Sequence, residues 1–92
     1  MIKNFRYPET RSLYEGHRIP RFANLRTVAE RKLQMLDSAS TLDFLRAPPG
    51  NRLEALKGDR AGQHSIRINN QWRICFNWTE EGPTNVEIVD YH

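Results

Sequence analysis

HSIRINNQWRICFNWTEEGPTNVEIVDYH, residues 64–92, is the stretch that decides how this chain folds. At a period of two, Ile66 and Ile68 share one face, with Ser65 and Arg67 on the other. In the next run Trp72, Ile74, Phe76 and Trp78 lie opposite Arg73, Cys75 and Asn77. Directly opposed residues of an antiparallel pair share a face, so the connecting loop must keep apolar against apolar. A two-residue turn would set Arg73 against an isoleucine. A loop of Asn69, Asn70 and Gln71 instead pairs Ile68 with Trp72, Ile66 with Ile74 and Arg67 with Arg73. Asparagine suits it, because it tolerates the left-handed conformation such loops need. The same test across TEEGPT pairs Trp78 with Val86, Phe76 with Ile88 and Cys75 with Val89, and sets Arg73 beside Tyr91.

One sheet face is then apolar and needs a cover, while the other gathers Arg67, Arg73 and Tyr91. Opposed arginines repel, so an anion between them is expected. The cover comes from upstream. Pro8 suits a first helical position and Gly16 a helix end, bounding a helix over about Glu9–Glu15. After Pro20, Phe22, Leu25, Ala29, Leu33 and Leu36 recur at helical spacing, leaving Arg21, Arg26, Glu30, Arg31 and Gln34 outward. TLDFLRAPPGNR reads as a helical turn followed by a break, and Ile2–Phe5 as a short opening strand. LEALKG is a further β-rich run. Helices first and strands last predict an α+β fold with a largely antiparallel sheet.

The 92 residues suit a single domain spanning 1–92. The hydrophobic share is 38% and the charged share 27%, with a net charge of +3 and a pI near 9.4. Lys3, Lys32 and Lys57 are the lysines, and the other basic residues are arginines, whose planar fork matches phosphate or carboxylate. Cys75 is the one cysteine, which excludes an internal disulfide and, set in an apolar strand, reads as packing. There is neither an apolar leader nor a run of transmembrane length, so a cytoplasmic protein with no membrane association is expected. His17, His64, His92 and Cys75 show no metal-ligand spacing, so no metal site is expected. Walker, dinucleotide and nucleophile-elbow motifs are absent. Lys57, Arg60, Arg67 and Arg73 lie in or beside the strands with Tyr91 near them, a combination suited to a phosphodiester with a base stacked above it. Each also has a structural reading: Arg67 or Arg73 can pair with Glu87 or Glu54, and Tyr91 can close the sheet edge.

The ordered set LKGDR, SIR, NQWRICF and the terminal DYH resembles the HigB toxins of the RelE superfamily. APPGNRLEALKG and VAERKLQMLD resemble its GraT branch. That resemblance implies a RelE-like microbial ribonuclease fold, two N-terminal helices packed on a curved sheet. It implies the toxin of a type II toxin–antitoxin pair, a ribosome-dependent endoribonuclease that cuts mRNA in the A site without metal or organic cofactor. The implied partner is a HigA-type helix-turn-helix antitoxin, with promoter DNA bound only through the antitoxin complex. The family's catalytic C-terminus falls on Asp90, Tyr91 and His92, and its basic site positions on Lys57 and Arg73, with Arg67 a neighbour; Arg60, from the residue reading alone, joins them as an RNA-binding candidate. One departure is Glu54, where such toxins can carry histidine. Metal-free cleavage needs a base, cations on the phosphate and an acid for the leaving oxygen. Arg73, Lys57 and Arg67 take the cation role, Asp90 or Glu54 the base, His92 the acid, and Tyr91 orients the phosphate or stacks. The alternative is a basic binder that blocks the ribosome without cutting.

Overall fold

The structure, a computed structural model, describes residues 1–90. Two α-helices, α1 (Pro8–Tyr14) and α2 (Arg26–Ser38), precede four strands: β1 (Glu54–Ala55), β2 (Gln63–Arg67), β3 (Trp72–Thr79) and β4 (Gly82–Asp90). The strands form one antiparallel sheet in the order β1-β2-β3-β4. This is the α+β arrangement that the hydrophobic patterning predicts.

Pro8 begins α1, where a missing N–H costs nothing, and Glu9 lies at the positive end of the helix dipole. The helix buries Leu13 completely. Phe22 and Leu25 lie in a 3-10 helix, Pro20–Leu25, that leads directly into α2. Pro20 starts that tighter helix, and the apolar stripe then continues through Ala29, Leu33 and Leu36, all buried. Against them pack Ile66, Ile74, Phe76, Val86 and Ile88 from the sheet. The predicted break resolves into two short 3-10 helices, Asp43–Arg46 and Pro49–Asn51. The expected opening strand is only an extended segment. Phe5 forms an isolated parallel bridge with Val86, the Lys3 amide donates to the Pro83 carbonyl at 2.8 Å, and the Ile2 amide donates to Asp37 Oδ1 at 2.7 Å.

The first hairpin has the expected register, with Ile66 opposite Ile74 and Arg67 opposite Arg73. Asn69 closes its loop by accepting from the amides of Gln71 and Trp72, both at 2.9 Å. The second hairpin differs from expectation. Thr79 pairs with Gly82 around Glu80 and Glu81, so the turn is tight, and Pro83 belongs to the strand. Proline reads as loop in a sequence, yet on an edge strand its missing N–H is tolerated. From that turn, an uninterrupted ladder would bring Glu87 opposite Ile74 and into the core. A bulge between the Asn77 and Cys75 pairs prevents this: beyond it, Cys75 faces Glu87, Ile74 faces Ile88 and Arg73 faces Val89. Asn85 has φ 53 there, and its side chain donates to Asn77 Oδ1 at 3.1 Å. The apolar face expected from alternation is kept, although the partners shift by two residues along β4.

Gly82 at φ +123 makes the tight turn possible, and a Cβ there would run into the Met1 carbonyl oxygen. Gly82→Ala should cost about 1–3 kcal/mol, lowering Tm by roughly 5–15 °C in thermal denaturation followed by circular dichroism. An unchanged Tm would show that the turn is not fixed by this glycine.

Candidate functional site

Arg73 is 8% exposed, on the sheet face away from the apolar core. A buried guanidinium must satisfy its donors, and among the described residues β2, β1 and the Arg52 backbone contribute. Nε donates to Ser65 Oγ on β2 at 2.8 Å, and Nη2 donates to the Arg52 carbonyl at 2.7 Å. Nη2 also lies 3.3 Å from Glu54 Oε1 on β1. The Arg52 carbonyl reaches the site because Arg52 follows the Pro49–Asn51 turn in the left-handed conformation, φ 45 and ψ 55. That conformation is costly for a residue with a side chain and persists where the surroundings enforce it.

Arg67 sits directly opposite Arg73, as expected, but its guanidinium donates to Asn70 Oδ1 in the hairpin loop. The two forks thus have separate local partners among the described residues. Of the two acids considered as partners for these arginines, Glu54 pairs with Arg73, while Glu87 binds others. The register brings Glu87 opposite Cys75, where it is 3% exposed and lies 3.3 Å from Arg6 Nη1 and 3.4 Å from Arg60 Nη1. Arg60 also donates to Gln63 Oε1 at 3.0 Å, so it is anchored to the sheet's outer face. Lys57 is exposed just before the Gly58–Arg60 turn and has no ion pair among the described residues. Asp90 ends β4 opposite Trp72 and accepts from Gln71 Nε2 at 3.1 Å.

Strand pairing therefore gathers Glu54, Arg67 and Arg73, with Arg60 tied to the neighbouring strand through Glu87. The frame that set Arg73 beside Tyr91 is replaced by Arg73 opposite Val89. Tyr91 and His92 lie outside the described residues. The sequence reading missed Ser65 and Arg52. Ser65 was legible in principle, since it shares a face with Arg73 two positions along the ladder from the Arg67–Arg73 pair. Arg52 acts through its carbonyl, for which side-chain chemistry gives no signal.

Cys75 is fully buried between these charged groups, and burial pushes its thiol pKa up, reinforced by Glu87 and opposed by Arg60 and Arg73. The fold thus favours the protonated thiol. That contribution to stability is complete below the unfolded thiol's pKa, near about 8.5, and is lost as pH rises towards the folded value. Native protein should react with a thiol reagent such as dithionitrobenzoate only on unfolding, and its Tm should fall more above pH ~8.5 than that of Cys75→Ala. Rapid native labelling would contradict the burial. His17 is exposed, with Nδ1 3.3 Å from the Ser12 carbonyl oxygen. His64 is half-buried and stacks on Phe76 at 6.3 Å, so it reads as packing. Among the described residues no group of three or more His, Cys, Asp or Glu could hold a metal ion, and no helix is long and apolar enough to cross a membrane.

Comparison with known proteins fits this architecture. Residues 3–92 match the family described as RelE-like toxin of type II toxin–antitoxin system HigB. Toxin HigB-1 of Vibrio cholerae is 50% identical over 50 residues, which cover 54% of this chain and 53% of that toxin. The matched stretch thus spans about half the length of that relative. An uncharacterized protein of Haemophilus influenzae is 34% identical over 92 residues, covering 100% of this chain and 83% of that one. Among solved structures, the YoeB–YefM complex from Staphylococcus aureus contains a chain similar in fold, with a TM-score of 0.58 and 18% identity, covering 100% of this chain and 98% of that one. The four-stranded antiparallel sheet under two helices is accordingly a RelE-like fold. With the family match running almost from end to end, the chain belongs to the RelE-like HigB toxins of type II toxin–antitoxin systems.

Proposed function

We propose that this toxin is a ribosome-dependent endoribonuclease that cuts mRNA in the ribosomal A site, stopping translation and growth. The observation that carries the reading is the fixed guanidinium of Arg73: nearly buried, held by Ser65 and Arg52, and flanked on the ladder by Arg67. Cations pre-set where charge develops are a large source of catalysis, since no reorganisation is needed at the moment of reaction.

In this mechanism the RNA 2′-oxygen loses its proton to a base and attacks the adjacent phosphorus. The bond to the 5′-oxygen breaks, leaving a 2′,3′-cyclic phosphate, and an acid protonates the departing oxygen. Arg73, with Lys57 and Arg67, stabilises the phosphorane charge, and Arg60 helps bind the backbone. Asp90 or Glu54 takes the base role: Glu54 is engaged with Arg73, and Asp90, opposite Trp72, with Gln71. His92 serves as the acid and Tyr91 orients the phosphate or stacks on a base. No metal or organic cofactor takes part. The chain works as one domain in the cytoplasm, neutralised by a HigA-type helix-turn-helix antitoxin whose complex represses its own promoter DNA. Family membership supports an antitoxin partner, and the solved neighbour is itself part of a complex, YoeB with YefM.

A second reading is favoured by the Glu54–Arg73 pair, which occupies the cation with the protein's own acid: a toxin that blocks the ribosome without cutting. Mapping mRNA 5′ ends after induction separates the two. New ends within codons, lost when Tyr91 and His92 are deleted, are expected. Arrest without new ends would select the blocker.

A further inference from the structure

Eight of the fourteen Lys and Arg residues lie against a carboxylate: Lys3, Arg6, Arg11, Arg21, Arg26, Arg46, Arg60 and Arg73. A group without such pairing includes the Pro49–Asn51 turn's own neighbours. Arg31, Lys32, Arg52 and Arg67 have no carboxylate partner among the described residues. Their position is nevertheless built. Asn51 is fully buried, and its Nδ2 donates to the Leu45 carbonyl at 3.1 Å and contacts Met35 Sδ at 3.1 Å. With the amide nitrogen so engaged, its Oδ1 faces α2 and accepts from Lys32 Nζ. The next residue, Arg52, offers its carbonyl to Arg73. Consecutive residues of one strained turn therefore hold two cations from two elements, Lys32 on α2 and Arg73 on β3. Burial lowers the Lys32 pKa, and the charges of Arg31 and Arg67 lower it further, so the local field is positive and unrelieved.

We propose that Lys32, set by Asn51, binds a backbone phosphate of the RNA next to the one at Arg73, extending the cationic track from β3 past Arg67 onto α2. The proposal rests on the RNA-cleaving reading and adds a subsite to it. The ammonium keeps donors for phosphate oxygens beyond the one given to Asn51. A track of point charges reads backbone and not base, so Lys32 contributes affinity without sequence preference.

The test uses the whole toxin and a short single-stranded RNA carrying 2′-O-methyl groups, which cannot be cut. Lys32→Gln should weaken binding about five-fold and reduce the slope of log affinity against log salt by about 0.7, the change expected for one lost phosphate contact. Lys32→Arg should restore most of the affinity. Lysine side-chain NMR should show the Lys32 pKa rising when the oligonucleotide binds, a response that a purely structural lysine would not give. Unchanged affinity and salt slope in Lys32→Gln, or a pKa that does not move, overturns the proposal. So does a loss confined to a polyglutamate peptide, which would make the cluster a dock for an acidic protein segment. If wild type cuts mRNA while Lys32→Gln binds normally, only the subsite falls. If wild type neither binds the oligonucleotide nor generates new mRNA ends, the cleavage reading falls with it.

Discussion

With the proposed mechanism, Arg73→Ala should lose mRNA cleavage by a factor of about 10²–10³, the usual scale for removing a pre-set group that stabilises transition-state charge. New mRNA 5′ ends should disappear, and cells expressing the variant should form colonies. Arg73→Lys recovers little, because the arginine works as a fork: Nε and Nη2 are committed to Ser65 and Arg52 at 2.8 and 2.7 Å, and an ammonium cannot span both. The alanine variant also leaves the Ser65 hydroxyl and Arg52 carbonyl without this donor, a cost of about 1–3 kcal/mol. Some loss of Tm therefore accompanies the loss of activity, and cleavage must be compared at a temperature where both proteins are folded. Wild-type cleavage by folded Arg73→Ala would remove this guanidinium from the chemistry and return it to the scaffold.

Alternation alone placed Arg67 opposite Arg73, because only one loop length keeps Ile66 against Ile74, and the fold has that register. It also chose the correct face for Glu87 and Cys75. It misjudged the second hairpin because two signals act against each other there. Pro83 reads as loop, and the bulge at Asn85 adds a residue that periodicity does not announce. The partners of Arg73 were only partly legible. Glu54 was a candidate by charge, whereas a backbone carbonyl delivered by a left-handed Arg52 is set by tertiary packing around the buried Asn51. Lys32 was equally hidden: on a helical wheel it is one more polar residue, and only the amide reaching it from the Pro49–Asn51 turn distinguishes it. Chemistry that depends on a side chain's type and strand parity was visible in the sequence. Chemistry that depends on where a bend directs its backbone was not.

Phe76→Ala should silence the toxin by a different route. Phe76 is fully buried at the bulge, within the core that joins sheet and helices, and it stacks on His64. Truncating a buried phenylalanine costs about 3–5 kcal/mol, against a total of roughly 5–15 kcal/mol for a small domain. Tm should fall by well over 10 °C, with unfolding detected by circular dichroism and by exposure of the Cys75 thiol to dithionitrobenzoate. None of the groups proposed to contact RNA is altered, so the folded fraction should cleave normally. Lowering the growth temperature should restore new mRNA ends for Phe76→Ala and leave Arg73→Ala inactive. A binding partner adds a second discrimination, since any protein that binds only the folded toxin stabilises it by mass action. Co-expressed antitoxin should therefore raise the Tm and soluble yield of Phe76→Ala. If cooling restores Phe76→Ala to its wild-type fold but not to activity, the core and the basic face are coupled, and the separation drawn between an apolar scaffold face and a chemical face of the sheet fails.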